Sequence, residues 1–221
     1  MSELTLVIGN RNYSSWSLRA WLALRMSGLE FDEVAIQLDT PDTHARIREY
    51  SPGGLVPALR HGTLTVWESL AICEYVAELA PGARLWPADP AARAVARSVS
   101  CEMHAGFRAL RDALPMNIRA DRPGVAIGAD VQADIERITA LWRDCRGRFG
   151  AGGPFLFGRF SIADAMYAPV ATRFSTYRIP LGPVEQAWVD AVRALPPMRD
   201  WAAAASAEPW RIEHEEVGAP A

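Results

Sequence analysis

The first third of the chain alternates short apolar runs with one stretch of helical periodicity. Residues 4–8 are apolar, rich in β-forming side chains and followed by Gly9, a pattern typical of a strand. Apolar residues then recur at near-helical spacing as far as Gly28, which predicts a helix that ends at that glycine. A second strand is predicted over residues 31–38. Residues 42–50 are polar enough for a short exposed helix or an irregular connection.

Two short segments, 57–59 and 64–67, predict a hairpin, and a helix is predicted over 69–79. The resulting order, βαβ, connector, ββα, requires a parallel strand pair with a right-handed crossover, followed by antiparallel strands. A mixed four-stranded sheet with helices packed on it follows. The sequence therefore predicts an α/β, thioredoxin-like domain over residues 1–80.

A proline-rich break separates this domain from a part of the chain with a different pattern. Pro81-Gly82 and the segment 86–90 predict a linker at 81–92. The apolar periodicity beyond it predicts helices over 95–114, from 135 onwards, and over 163–174, 184–195 and 198–205. No strand pattern occurs there, so residues 93–221 are predicted to form an all-helical domain.

Composition narrows the classes of protein that this chain can represent. The 221 residues are 50% hydrophobic and 22% charged, which is typical of a folded globular protein with a sizeable core. A net charge of -3 with scattered arginines gives no electrostatic reason to expect nucleic acid as a partner. No apolar run approaches the roughly 20 residues that span a bilayer, so no membrane partner is predicted.

Cysteine and histidine usage predicts a cytoplasmic protein without a metal site. Three widely spaced cysteines do not form a disulfide framework. The four histidines are far apart, and no Cys-x-x-Cys or His-x-x-x-His pair occurs, so no metal is expected. The start, Met1-Ser-Glu-Leu, lacks the basic segment of a secretory signal. Cytoplasm is the expected compartment.

Two adjacent serines, Ser14 and Ser15, precede the first predicted helix. A helix N-terminus presents unpaired N–H groups and a positive dipole, and a hydroxyl there can donate a hydrogen bond to an anion. A thiol, with an ordinary pKa of roughly 8.5, becomes more ionised in such a place. Both serines are therefore candidates for stabilising a thiolate, although a serine before a helix is also the ordinary N-cap residue.

Residues 13–24 read Tyr-Ser-Ser-Trp-Ser-Leu-Arg-Ala-Trp-Leu-Ala-Leu. This segment resembles the signature of the cytosolic glutathione transferases whose catalytic residue is serine, and it is nearest to the zeta class. The resemblance implies that Ser14, five residues before Arg19, stabilises the glutathione thiolate, with Ser15 as the second choice. Trp16 stands where the zeta class has cysteine, which argues against that class's own isomerase reaction and against thiol exchange.

Two further motifs are similar to those of the same family. Val56-Pro57 precedes the third predicted strand, and the resemblance implies a cis bond there, with the valine backbone pairing to the cysteinyl part of glutathione like an added strand. Glu68-Ser69 resembles the acidic-serine pair that binds the γ-glutamyl end. Ser69 would receive a carboxylate at a helix N-terminus and Glu68 an ammonium group. Taken alone, the pair can be an exposed glutamate and a capping serine.

The glycyl carboxylate of glutathione has no obvious partner in this sequence. Many family members have a polar residue before the valine-proline pair, whereas this chain has Leu55. We expect that contact to be weak, or to be supplied by His44, Arg46 or Arg48. These three residues can also be ordinary surface charges.

The resemblance implies a second-substrate pocket between the domains, against the long helix after the linker and the family's sixth helix. His104, Arg108 and Arg111 share one helical face by their spacing, and Tyr167 and Arg173 lie on the other helix. Each is a candidate ligand, although a lone basic residue on a helix is usually solvated.

Ser161-Ile-Ala-Asp164 reads as a capping box with aspartate in the fourth position. It is similar to the N-capping box and buried aspartate of the family's sixth helix. The prediction for this motif is structural.

The resemblance thus implies a homodimeric transferase whose partners are glutathione, as co-substrate, and a small hydrophobic electrophile. Two other functions stay open at this stage. One is a glutathione-dependent cis–trans isomerase of a maleyl-type acid, and the other is a binding protein that keeps the site but has no turnover.

Overall fold

The computed structural model of the protein describes residues 3–219 and contains one mixed four-stranded sheet. Its strands are β1 (Leu4–Ile8), β2 (Asp32–Ala35), β3 (Ala58–His61) and β4 (Leu64–Trp67), in the order β2-β1-β3-β4. Strand β1 pairs parallel with β2 and antiparallel with β3, which pairs antiparallel with β4. The predicted sheet is confirmed. Met1 and Ser2, part of the start on which the expectation of no secretory signal depends, lie outside the described residues.

Three helices accompany the sheet: α1 (Ser15–Ser27), α2 (Thr43–Arg48) and α3 (Ser69–Leu79). Helix α1 ends at Gly28, whose φ of 77° lies in the left-handed region that glycine adopts at little cost. Strand β2 is shorter than the predicted 31–38. Its only neighbour in the sheet is β1, and β1 ends at Ile8, so the chain beyond residue 36 has no strand to pair with.

The rest of the described chain is helical, as predicted. The helices are α4 (Pro90–Ala105), α5 (Arg108–Ala113), α6 (Ala129–Phe149), α7 (Ile162–Thr176), α8 (Pro183–Ala194) and α9 (Pro196–Ala207), with 3₁₀ turns at Pro81–Ala83 and Glu213–Glu215. Between residues 90 and 219, β-type pairing is limited to two isolated bridges near residue 157. None of the described helices is long and apolar enough to cross a bilayer.

The predicted single helix over 95–114 is wrong, because the chain breaks between α4 and α5. Gly106 is extended there, and a Cβ at this position would lie 2.8 Å from the carbonyl oxygen of Glu102. Phe107 follows with a φ of 59°, which is unfavourable for a side chain of its size. The break turns α5 away from the axis of α4, so spacing across residue 106 no longer defines one face.

Helix α7 lies at the centre of the helical domain and is buried along almost its whole length. It packs against α1, α4 and α8. Aromatic contacts around Trp142, including its ring contact with Trp188 at 4.1 Å between centroids, fill the space beside it. Because α1 packs on both α3 and α7, its N-terminus lies where the two domains meet.

The capping box at the start of α7 is confirmed. The Asp164 carboxylate accepts hydrogen bonds from the backbone and hydroxyl of Ser161, from the Leu156 amide and from the Trp188 indole. Burial raises the pKa of Asp164, and these hydrogen bonds oppose the shift by stabilising the ionised form. The aspartate ties α8 and the preceding loop to the start of α7.

Candidate functional site

The turn before α1 is held in place by polar contacts. The Asn10 carbonyl accepts the amides of Tyr13 and Ser14, at 3.2 and 2.8 Å. The Glu208 carboxylate, beyond α9, accepts the amides of Arg11 and Asn12. These bonds fix the direction from which the chain enters α1.

Ser14 is the N-cap of α1 and is 7% exposed. Its Oγ accepts from the amide of Ser17 at 3.4 Å, a long capping bond, and lies 2.8 Å from the Oγ of Ser17. The Ser17 Oγ in turn accepts the amide of Gly9, at the end of β1, at 3.0 Å. The Ser14 hydroxyl therefore belongs to a short chain of polar groups that starts at the sheet.

Ser15 is the first residue of α1, and its hydroxyl lies beside a cation from the helical domain. Arg173 Nη2 donates to Ser15 Oγ at 3.4 Å, while Arg173 Nε donates to the Leu114 carbonyl at 2.8 Å. Burial, with charge repulsion from Arg111 as the next largest cause, lowers the pKa of Arg173 to about 10. The guanidinium remains protonated at neutral pH.

A cavity of about 710 Å³ opens between the two domains at the start of α1. Tyr13, Ser14, Ser15 and Trp16 form one part of its wall. A second part consists of Leu38, Asp39, Thr40, Pro41, Thr43, His44 and Ile47. The third part, 54–56, precedes the bond between Val56 and Pro57, which is cis, as predicted. Neither the amide nor the carbonyl of Val56 has a hydrogen-bond partner among residues 3–219, so both can pair with a ligand.

His44 and Leu55 lie in the cavity wall, whereas Arg46 and Arg48 do not. Leu55 is 63% exposed and offers only an apolar side chain. Of the three basic residues considered for the glycyl end of a tripeptide, His44 is the one that the fold brings to the cavity.

Glu68 and Ser69 lie at the start of α3, outside the residues that line the cavity itself. Ser69 is fully buried, and its Oγ has no hydrogen-bond partner among the described residues. Glu68 has a φ of 70°, and its carboxylate lies 3.5 Å from Nε2 of His104 on α4. An unpaired buried hydroxyl at a helix N-terminus is suited to binding a carboxylate.

His104, a predicted residue of the second-substrate pocket, is not among the residues that line the cavity either. Its ring packs edge-on against Trp16, with 5.2 Å between the ring centroids. Burial lowers the pKa of His104, and Arg19 lowers it further, whereas Glu68 raises it. The histidine connects α4 to the Glu68 end of the site.

Arg108 and Tyr167, also predicted for the second-substrate pocket, are not among the cavity-lining residues. Arg108 lies at the surface with its side chain 92% exposed and paired to Asp112. The spacing argument failed because the break at Gly106 separates Arg108 from the face of α4. Tyr167 is fully buried in the core, where its hydroxyl donates to the Val99 carbonyl.

Arg111 and Arg173, in contrast, both line the cavity. The Arg111 guanidinium packs over the Trp16 ring at 4.8 Å from the centroid and donates to the carbonyls of Met103 and His104. Two cations therefore line this cavity, together with the carboxylates of Asp39 and Glu215.

In the sequence, Arg19 served only to locate Ser14. In the structure, its side chain adds a third positive charge next to Trp16. Its side chain is fully buried, stacks on Trp16 at 4.4 Å, and has no hydrogen-bond partner among the described residues. Burial lowers the pKa of Arg19 well below its ordinary value, and repulsion from Arg111 and Arg173 adds to the shift. An anion bound near the start of α1 would relieve this repulsion.

Sequence reasoning missed the part that the C-terminal segment plays at this cavity. Glu215 lines the wall near Arg173, and burial raises the pKa of its carboxyl. The Tyr13 hydroxyl donates to Glu216 and accepts from Arg119, so it is already engaged away from the cavity. Only the three-dimensional path of the chain brings residues 208–216 here, and no local pattern signals it.

The described residues contain no group of three or more histidine, cysteine, aspartate or glutamate side chains that could hold a metal ion. Cys73 is buried under α1, and burial raises the pKa of its thiol to about 12. None of the described cysteines is among the residues that line the cavity.

The chain matches two protein-family models. The model described as "Glutathione S-transferase, N-terminal domain" covers residues 13–79, and "Glutathione S-transferase, C-terminal domain" covers residues 102–204. Together these ranges contain every residue that lines the cavity except Glu215.

Curated relatives and solved structures agree with these matches. A probable maleylacetoacetate isomerase of Caenorhabditis elegans is 26% identical over 170 residues, which is 75% of this chain and 77% of the relative. The maleylacetoacetate isomerase of Rattus norvegicus is 25% identical over 78% of this chain and 79% of its own. The theta class glutathione S-transferase of Xanthomonas axonopodis pv. citri, solved with glutathione bound, is 26% identical, with a TM-score of 0.66 over 91% of this chain and 98% of that one.

Proposed function

The chain belongs to the glutathione S-transferase family, and from this premise we propose that it joins the sulfur of glutathione to a small electrophile, with Ser14 stabilising the thiolate. The observation that carries the proposal is the place of the Ser14 hydroxyl, at the N-terminus of α1 and in the wall of the interdomain cavity. There the helix dipole and the hydroxyl both favour an anion. Ser15 is the alternative donor.

Glutathione is proposed to lie along the wall from His44 to the start of α3. The cysteinyl backbone pairs with Val56, whose amide and carbonyl are free of partners among residues 3–219. The γ-glutamyl carboxylate accepts from the buried, unpartnered hydroxyl of Ser69, and its ammonium faces Glu68. The glycyl carboxylate lies toward His44.

In this arrangement the glutathione thiol loses its proton to solvent, and the Ser14 hydroxyl donates a hydrogen bond to the sulfur anion. The thiolate electron pair then forms the S–C bond, and the electrophile either releases its leaving group or takes up a proton. Ser14 stays protonated throughout. The cavity wall of Trp16, Arg111 and Arg173 faces the electrophile.

The experiment compares wild-type protein with Ser14→Ala in conjugation of 1-chloro-2,4-dinitrobenzene and in calorimetric binding of glutathione. We expect turnover to fall strongly while affinity stays within about twofold, because the hydroxyl acts on the ionised sulfur. Unchanged turnover in Ser14→Ala, with loss in Ser15→Ala, would transfer the role to Ser15. If the protein binds glutathione but turns over none of the electrophiles tested, its function would be that of a binding protein.

A second candidate function is cis–trans isomerisation of a maleyl-type acid, in which the thiolate adds to the double bond and later leaves. Arg111 and Arg173 favour it, because two cations in the wall suit a carboxylate-bearing substrate. Turnover of such an acid without net consumption of glutathione would support isomerisation. Consumption of one glutathione per electrophile would support conjugation.

Family membership also leads us to propose a homodimer that works in the cytoplasm. Light scattering on the purified protein tests the first part, with about twice the chain mass expected.

A further inference from the structure

We infer that Ser17 is a positioning residue for the Ser14 hydroxyl: it fixes the direction of the Ser14 proton so that it points into the cavity. The inference depends on the proposed function, since the proton would have no target without a bound thiolate. It concerns a residue that is fully buried and does not touch the cavity.

The argument starts from the contacts of the Ser17 hydroxyl. Its Oγ accepts the Gly9 amide at 3.0 Å and lies 2.8 Å from the Oγ of Ser14. Among residues 3–219, these two groups are its hydrogen-bond partners. A serine hydroxyl has one proton to donate and two positions to accept.

Proton counting then decides which serine is the donor. The Gly9 amide can only donate, so the Ser17 hydrogen needs another acceptor. A buried hydroxyl hydrogen without an acceptor is unfavourable, and the Ser14 Oγ is the acceptor within reach. Ser17 therefore donates to Ser14. The reverse direction would leave the Ser17 hydrogen unpaired in a fully buried place.

This direction fills both acceptor positions of the Ser14 oxygen. One bond comes from the Ser17 hydroxyl at 2.8 Å and the other from the Ser17 amide at 3.4 Å. The hydroxyl hydrogen of Ser14 then has no acceptor within this chain of hydrogen bonds. Because Ser14 is exposed on the side of the cavity, this hydrogen points into the cavity. Hydrogen bonds in a chain polarise one another, so the Ser14 hydroxyl also becomes a better donor.

The hydrogen bonds from Gly9 to Ser17 and from Ser17 to Ser14 form a relay, and the sheet holds its first member in place. Gly9 directly follows β1, which is paired with both β2 and β3. This pairing holds the Gly9 amide where it donates to Ser17 Oγ. The relay runs from the sheet through Ser17 to Ser14, and any displacement of Ser17 changes where the Ser14 proton points.

The test is a thermodynamic cycle on the pKa of enzyme-bound glutathione, followed by the ultraviolet absorbance of its thiolate. It uses wild-type protein, Ser14→Ala, Ser17→Ala and the double variant. At a pH below the pKa of the bound thiol, we expect Ser17→Ala to lower the thiolate fraction about two- to tenfold, which is the effect of losing one hydrogen bond. Conjugation at high pH, where the thiol is ionised in any case, should be unchanged.

The double variant separates a positioning role from a structural one. In the Ser14→Ala background, Ser17→Ala should cause no further change, because no proton remains to be directed. An equal change in both backgrounds, or none in either, would overturn the inference. Ser100→Ala is the matched control, since Ser100 is also fully buried in a helix and donates to a backbone carbonyl on α4, far along the chain from Ser14.

Two further outcomes keep the inference separate from the proposed function. If Ser14→Ala leaves the bound thiol pKa unchanged, the proposed role of Ser14 fails and the Ser17 inference fails with it. If Ser14→Ala raises that pKa and Ser17→Ala does not, only the inference fails. Should Ser17→Ala not fold, Ser17→Cys keeps the volume with a weak donor. A thiolate fraction equal to wild type in Ser17→Cys would contradict the inference.

Discussion

Among residues 3–219, serine is the N-cap of two helices, α1 and α7, and the two serine hydroxyls have different hydrogen-bond partners. Ser161 caps α7, and its amide and hydroxyl both donate to Asp164, three residues later in the same motif. Ser14 caps α1 without a carboxylate partner, and its hydroxyl lies in a cavity wall. The sequence offers a serine at a helix start in both cases. On the proposed function, Ser161 is a structural cap and Ser14 a chemical one, and what separates them is whether the hydroxyl proton is already used inside the protein.

The largest expected effect comes from the structural cap. Asp164→Ala removes the acceptor of the Leu156 amide, the Ser161 groups and the Trp188 indole. Each buried donor left unpaired costs about 1–3 kcal/mol, so we expect the free energy of unfolding to fall by about 3–5 kcal/mol. Urea denaturation measures it.

Asp144→Ala is the control for that prediction, because Asp144 carries an exposed carboxylate paired with Arg148. Loss of such a surface pair should change stability by less than about 1 kcal/mol. If the two variants lose equal free energy of unfolding, the hydrogen bonds of Asp164 do not stabilise the contact between the start of α7 and α8.

The second prediction concerns turnover, which should depend on the cap Ser14 and not on the cap Ser161. Ser14→Ala should lower conjugation turnover about a hundredfold, in the range seen when one donor to a developing anion is removed. It should lower stability by only about 0.5–2 kcal/mol, the ordinary effect of a lost cap. Ser161→Ala should lower stability by a similar amount and leave turnover per folded molecule unchanged. A loss of turnover in both variants would erase the distinction between the caps.

A third prediction concerns the cations that surround the chemical cap. Arg111→Gln should lower kcat/KM for an electrophile that carries a carboxylate by about tenfold or more, relative to its neutral methyl ester. Arg108→Gln on the same helix is the matched control, since Arg108 is exposed and paired to Asp112. An equal ratio of acid to ester in both variants would show that Arg111 does not bind the carboxylate.

The smallest effect is a pH dependence of stability from His104, next to the chemical cap. Burial lowers the pKa of His104, so below its ordinary value of about 6.5 the unfolded chain binds the proton more readily than the folded one. Stability should therefore fall as pH falls through that range. In His104→Gln the fall between pH 7.5 and 5.5 should be shallower, and parallel curves would contradict the prediction.

The sheet and the cap at Ser14 were predictable, because each depends on short stretches of chain, whereas the cis bond before Pro57 was implied only by the family resemblance. The break at Gly106 was not predictable. The apolar periodicity continues through it, and only the close approach of the Glu102 carbonyl shows why glycine is there. Arg108 was misplaced for the same reason, since spacing along a helix has meaning only while the helix continues.

Contacts between distant parts of the chain account for the rest of what sequence reasoning missed. Arg173 reaches Ser15 across 158 positions, and Glu215 joins the cavity from beyond the last long helix. The unpartnered burial of Arg19 follows from the packing of two domains. No local pattern encodes these distances, so the places of Arg19 and Glu215 near the cavity became visible only in the fold.

The most direct measurement of the central claim is an ultraviolet titration of glutathione bound to the wild-type protein, to Ser14→Ala and to Ser161→Ala. We predict that the wild-type protein and Ser161→Ala ionise the bound thiol at a pH well below that of free glutathione. In Ser14→Ala the titration should move back toward the free value. The claim is contradicted if bound and free glutathione titrate alike, or if Ser14→Ala titrates like the wild-type protein.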